Sequence, residues 1–312
     1  MGGSGGGGIF SSGSSPSKLR RQVRELESRA ISDEFETGVA SLIDAELGDI
    51  NQRDPEATGR HMEEIQSALG REIEGSVSLL FGGSIAKRTY VNGLSDVDSI
   101  VILNKSDLVG LSPAEVKDYF AKQLRNRFPS TPIEVGKLAV TVKFSDIDIQ
   151  LLPGVKVGSG VRISAADGSQ WSTVIRPDKF AAKLTDSNKA MSGKLVPTIK
   201  LAKQILSKLP EDQQLSGYHV ESLSLKVFDA YDGPKTTKAM LRHFFTHAPD
   251  HIKQPIKDST GQSIHVDDYL GGPGHLKRRI IGDSLGRIAR SMQNADGAQS
   301  SEQWAEILSV EP

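Results

Sequence analysis

Two short apolar runs, Val77 to Phe81 and Ile100 to Leu103, flank a polar stretch rich in glycine, serine and aspartate. Apolar runs this short, bounded by turn residues, predict strands. Gly82-Gly83-Ser84 ends the first, and Asp96 and Asp98 open the second. Upstream, the period becomes helical. From Ser15-Pro16, with proline at the first-turn position, Leu19, Val23, Leu26, Ala30, Phe35, Val39, Leu42 and Leu47 form one stripe. The stripe predicts a long amphipathic helix packed along the body of the protein, followed by a second helix near 55–73. Downstream, a helix is expected from Ser112-Pro113 to near Phe128, then paired strands over Leu138 to Phe144 and Ile147 to Leu152. Pro153-Gly154 is read as the stop of the second of these, and one more hairpin is expected around Val161–Ile163 and Trp171–Ile175. From Pro177 onward the pattern is helical, roughly over 191–209, 217–231, 234–247, 275–293 and 300–309.

Strand, helix, strand, strand on short connections is the order of an α+β domain, not of an alternating doubly wound sheet. Three segments follow. Residues 1–15, almost all glycine and serine, have little to bury and are expected to be flexible. Residues 16–176 carry the N-terminal helices and a mixed sheet domain. Residues 177–312 form a helical domain, with the long N-terminal helix bracing one or both.

Composition narrows the chemistry. Lys+Arg 38 against Asp+Glu 39 leaves a net charge of −1, so the basic excess of a duplex-binding protein is missing and no clear nucleic-acid surface is expected. The chain has no cysteine, which excludes disulfides, thiolate zinc sites and thiol catalysis and fits a reducing compartment. No stretch resembles a membrane-spanning helix or a signal peptide, so a soluble, cytoplasmic protein is expected.

The opening stretch has a chemistry of its own. Adjacent amides at Gly82-Gly83, with the Ser84 hydroxyl, can cradle phosphate oxygens. In an extended segment Asp96 and Asp98 point to one side. Two carboxylates beside a phosphate cradle suit magnesium, a hard cation that takes both kinds of oxygen. A third ligand is needed to orient an attacking hydroxyl in a two-metal site. Asp148 fits, because it interrupts the apolar run Ile147-Asp148-Ile149, where an unpaired carboxylate is costly to bury. Asp146 shares its parity but falls in a turn, where a solvated aspartate is ordinary.

Gly83-Ser84, Ser95-Asp96-Val97-Asp98 and Asp148-Ile-Gln-Leu-Leu-Pro together resemble the signature of the polymerase-β-like nucleotidyltransferases. The fuller text, Gly83-Ser-Ile-Ala-Lys-Arg-Thr-Tyr-Val-Asn-Gly-Leu-Ser-Asp-Val-Asp98, is similar to the bacterial CD-NTases of CBASS anti-phage defence. Ile199-Lys-Leu-Ala-Lys203, Ser216-Gly-Tyr-His-Val-Glu221 and Asp258-Ser-Thr-Gly261 resemble later motifs of the same group, so the likeness spans roughly 16–295. It implies a nucleotidyltransferase domain completed by a helical domain. It also implies two Mg2+ (Mn2+ substituting) on Asp96, Asp98 and Asp148, and triphosphate contacts from Gly83, Ser84, Lys87, Lys203 and Ser216. The substrates implied are nucleoside triphosphates, ATP first among them, joined into a cyclic di- or trinucleotide with release of pyrophosphate. Regulatory or effector proteins of a defence operon are the implied partners. Two departures stand out: Arg88 where the family often has glycine, and Ser259 where proline is common.

Plainer readings compete at several positions. Lys203 lies beside an apolar stripe and reads equally as a snorkelling lysine. Ser216 reads as a helix cap, and Tyr218 and His219 as packing residues rather than a base stack. Lys87 and Arg88 read as a solvated helix face. His243, His247 and His251 recur every four residues, but Pro249 is expected to break the helix between the last two. Lys277-Arg278-Arg279 reads as a charged helix face. Transfer to an RNA, protein or small-molecule acceptor, or nucleotide binding without turnover, are the rival functions.

Overall fold

The computed structural model describes residues 16–51, 55–70, 76–80, 97–104, 107–165, 168–256 and 266–308. Its strands are β1 (Ser76–Leu80), β2 (Val97–Asn104), β3 (Ile133–Val135), β4 (Val140–Lys143), β5 (Asp148–Val157) and β6 (Gly160–Ile163). Its helices are α1 (Pro16–Ile50), α2 (Pro55–Gly70), α3 (Pro113–Arg127), α4 (Pro177–Ala190), α5 (Leu195–Ser207), α6 (Gly217–Val227), α7 (Thr237–Ile252), α8 (Leu276–Gly297) and α9 (Ser301–Leu308).

The strands lie in the order β1-β2-β5-β4-β3, with β6 also on β5, and only β2 and β5 run parallel. Strand alternation sorts the side chains by face. Val101, Leu103, Ile149 and Leu151 pack with Met62, Ile65 and Leu69 of α2 and Val116, Phe120 and Leu124 of α3. Ile100, Ile102 and Val161 form a smaller cluster of their own with Leu152 and Ile163. The start of α3 is held by a capping box, in which Ser112 and Glu115 exchange side-chain and backbone bonds.

The sheet differs from the expected one in three places. β3, with a single buried residue, is too short to leave a periodic signal. β5 does not stop at Pro153-Gly154 but continues to Val157. β4 pairs with Asp148–Leu151 and β6 with Gly154–Val157, so Pro153 falls between two antiparallel ladders, where a missing amide donor costs least. At Gly154, a Cβ would lie 2.7 Å from Ile100 Cγ2 and 2.8 Å from Val161 Cγ1, so this glycine is needed for close packing rather than as a breaker. The expected second hairpin forms only as separate antiparallel bridges, Val161 with Ile175 and Ser164 with Trp171, joined by the Ser172 N–H to the Ile163 carbonyl at 2.8 Å, while β6 also pairs with β5.

The helices form a second core, centred on residues such as Ile199, Leu223, Phe244, Phe245, Leu285 and Trp304. Among the described residues, α1 joins it through its second half, by Phe35, Val39, Ile43 and Ile50. The helix has 35 residues, about 52 Å of length, and Val23, Leu26 and Ile31 of its first half stay outside that core. These three are exposed, and the apolar stripe is not packed along its whole length. Lys238 of α7 pins the packed half: its Nζ is 2.6 Å from Glu36, 3.0 Å from Asp296 and 4.2 Å above the Phe35 ring.

Two helix boundaries also move. The helix expected over 191–209 begins at Leu195, and α4 precedes it, because Ser192 and Gly193 adopt positive φ of 54° and 78° and separate the two. α7 runs through Pro249 to Ile252 without a break. Among the described residues no helix is long and apolar enough to cross a membrane.

Gly154→Ala is expected to destabilise the sheet domain by about 1–3 kcal/mol, because two methyl groups occupy the space the new carbon needs. A thermal melt checks this; an unshifted midpoint would mean that the β2–β5–β6 junction can open to accept it.

Candidate functional site

The site is built on the one parallel pair. Val97 stands opposite Ile149 and Asp98 opposite Gln150, so Asp148 opens β5 at the level where β2 begins. Position 148 has the parity of Gln150 and Leu152, so Asp148 belongs to the sheet face opposite α2 and α3. Gly83, Ser84, Lys87, Arg88 and Asp96 lie outside the described residues, as does the stretch from Asp258 to Gly261.

Asp148 is half-buried, and its carboxylate enters no ion pair or hydrogen bond with a described residue. Asp146 is occupied. His61 Nε2 lies 3.0 and 3.2 Å from its two carboxylate oxygens, and the His61 ring stacks on Phe144 at 3.8 Å. The competing aspartate is thus tied to α2, while Asp148 keeps its oxygens available. A half-buried carboxylate at the start of a strand, with no partner among the described residues, fits a divalent cation.

The second part of the site is the N-terminus of α6. Ser216 is the N-cap; its Oγ accepts the His219 N–H at 3.2 Å, and the residue is exposed. Lys203 of α5 lies beneath it. Its Nζ would be 3.3 Å from a Cβ at Gly217, so the ammonium lies close beneath the helix start. The lysine does not snorkel: its head group is buried and pairs with Glu221 of α6 at 2.9 Å, the two side chains only 6% and 1% exposed. An exposed helix N-terminus suits an anion, while the ammonium beneath it is already paired with Glu221. Capping and phosphate contact are compatible roles for Ser216.

His219 and Tyr218 point inward. His219 is fully buried, with Nδ1 2.8 Å from the Tyr269 hydroxyl, and Tyr218 packs on Phe180 at 4.9 Å between ring centres. Burial pushes the His219 pKa down to about 4 against the pull of nearby Asp267, so the ring is neutral at physiological pH. In α7, the His243 and His247 rings stack at 4.0 Å and His243 sits 4.5 Å from Tyr231, within an aromatic cluster.

Arg278 is the residue that sequence reasoning misplaced. It is buried, not part of a charged face. Its guanidinium bonds the Asp267 carboxylate at 2.7 Å and the carbonyls of Ile252, Gln254, Asp267, Gly271 and Gly272. Asp267 also accepts the Ile256 N–H at 2.7 Å. One signal was present: Arg278 is in phase with Ile281 and Leu285, the buried stripe of α8. Glu221, by contrast, falls among the buried residues of α6 with no charge pattern to single it out.

The chain is 30% identical over 142 residues to the cyclic AMP-AMP-AMP synthase of Escherichia coli strain MS 115-1. That match spans 39% of this chain and 43% of the relative's length, so under half of the curated relative is covered. No protein-family model matches. Among solved structures, E. coli MS115-1 CdnC with ATP aligns at TM-score 0.62 and 16% identity, over 87% of this chain and 96% of that one. The Rhodothermus marinus CdnE c-UMP-AMP synthase aligns at 0.59 and 17%, over 80% and 95%. Vibrio cholerae DncV, solved with ATP and GTP, aligns at 0.59 and 12%, over 93% and 90%.

Lys203→Met is expected to cost about 3–5 kcal/mol in urea unfolding by stranding Glu221, and Lys203→Met with Glu221→Leu to recover most of it. Acid should act through His219. Above pH 6.5 both states hold it neutral. Between 6.5 and about 4 only the unfolded chain takes the proton, so stability falls as pH falls, by up to about 3 kcal/mol at the lower end. Melting temperatures of the wild type and His219→Gln from pH 7 to 4 should therefore converge on acidification; parallel curves would refute the assignment.

Proposed function

We propose that this chain, which has the fold of the bacterial CD-NTases, is a template-independent nucleotidyltransferase that joins nucleoside triphosphates into a cyclic di- or trinucleotide. The observation that carries the reading is the unclaimed Asp148 carboxylate, set level with β2 by the parallel register while Asp146 is taken by His61. Asp96, Asp98 and Asp148 would hold two Mg2+, with Mn2+ able to substitute. When bound, such ions lower the pKa of an acceptor ribose hydroxyl and stabilise charge on the attacking and leaving oxygens.

The chain's own residues position the rest. Gly83, Ser84 and Lys87 cradle the donor triphosphate at the end of β1. Lys203 and the N-terminus of α6 at Ser216 take phosphate oxygens from the other side. The acceptor hydroxyl gives its proton to the Asp148 carboxylate, its oxygen bonds the α-phosphorus, and the bond from that phosphorus to the bridging oxygen breaks, so that pyrophosphate leaves with that bond's electron pair. A second transfer within the same pocket closes the ring. The product would serve anti-phage signalling, as the sequence resemblance implies, under control by a protein partner; a CdnC:HORMA-deltaN complex among the structural neighbours supports the second part.

The test is incubation with all four labelled triphosphates and magnesium, followed by phosphatase and mass spectrometry. A phosphatase-resistant cyclic product without added acceptor is the expected result. Labelling only of an added RNA, protein or small molecule would replace this reading with acceptor transfer, and binding without turnover would reduce it to a scaffold. Asp148→Asn should lower turnover by at least about a hundredfold, as loss of a group that acts on transition-state charge does, while leaving the melting temperature close to that of the wild type.

A further inference from the structure

The first residues of α6 lack the glutamate that would complete a capping box. The N3 position is His219, so no side chain within the helix start can accept the N-cap amide. A residue 53 positions away does so instead: the Ser216 N–H donates to the Tyr269 hydroxyl at 3.1 Å. That hydroxyl is held in turn by His219 Nδ1 at 2.8 Å.

Tyr269 is itself well anchored. It sits in the short 3-10 turn Asp268–Leu270, whose Leu270 is fully buried. The residue before the turn, Asp267, is locked by the buried Arg278 guanidinium. Lys277 lies over the tyrosine ring at 5.3 Å. The residue is 41% exposed, so packing alone does not explain it.

We propose that Tyr269 is a positioning residue for the phosphate-binding end of α6: by taking the Ser216 amide and docking on His219, it fixes the helix N-terminus above Lys203 before a ligand arrives. The inference rests on the reading of that helix end as a phosphate contact. A site organised in advance loses less freedom on binding, so affinity depends on the group that does the organising. The tyrosine acts through the backbone and need not touch the substrate.

Tyr269→Phe in the full chain removes only the hydroxyl. The probe is inorganic tripolyphosphate with magnesium, which reports the phosphate site independently of base choice, together with hydrogen exchange across residues 216–219. Tyr231→Phe is the control, since it removes a hydroxyl that bonds Pro234 O at 2.7 Å on the tip that follows α6. The expected result is faster exchange in 216–219 and affinity weaker by about three- to tenfold for Tyr269→Phe, the worth of one hydrogen bond, with affinity unchanged for Tyr231→Phe. If the wild type binds and Tyr269→Phe binds equally well, the positioning role is wrong while the phosphate reading stands. If both variants lose affinity together, general destabilisation is the cause and the proposal falls. If the wild type itself does not bind tripolyphosphate, the phosphate reading fails and the positioning role with it.

Discussion

The parallel pairing of β2 with β5 is the constraint on which the sheet half of the site depends. Every other pair in the sheet is antiparallel, and an antiparallel neighbour would bring the far end of a strand, not its beginning, beside Asp98. Parallel register brings the starts of two strands fifty residues apart to one level. The rest of the sheet domain secures that register. α2 and α3 pack on the face away from Asp148, β4 extends the sheet beyond β5, and Gly154 lets β6 cross without displacing Ile100. A side chain on that glycine would press on the strand that carries Asp98.

The helical half works by a different economy. Its core is apolar, yet it contains two buried ion pairs, Lys203 with Glu221 and Arg278 with Asp267. Buried pairs contribute little net stability, but each strongly penalises arrangements in which one partner is missing. They therefore act as locators. The first sets the ammonium under the start of α6. The second ties Ile256, Asp267 and the carbonyls after Ile252 to α8, fixing the turn from which Tyr269 reaches back to Ser216. The two pairs and the tyrosine together define where one helix begins.

Much of this was legible in residue order. Asp148 within Ile147-Asp148-Ile149 marks a carboxylate with a purpose, because an apolar strand does not tolerate one otherwise. Ser112-Pro113 marked the start of α3, and the strand runs around Ile100 and Ile149 were readable from length and composition. The misreadings share a cause. Pro153, Gly154 and Pro249 were taken at their local propensity, as stops, and each is accommodated by its neighbours: a change of ladder, a close methyl contact, a helix held by packing against α8.

The sequence by itself determined the element types, the α+β class and the aspartates, since periodicity and the cost of a carboxylate in an apolar strand are local properties. Tertiary structure decided what each polar residue faces. Asp146 and Asp148 have the same type and parity; the sequence places one in a turn and the other in a strand, and the structure adds the His61 partner that occupies Asp146. Lys203 and Arg278 read as surface charges until Glu221 and Asp267 are seen beside them. Tyr269 carried no signal at all, because its hydrogen bond spans 53 residues and belongs to no periodic pattern. Periodicity reports which side of an element is buried; the identity of a partner is set by the packing of elements distant in the chain.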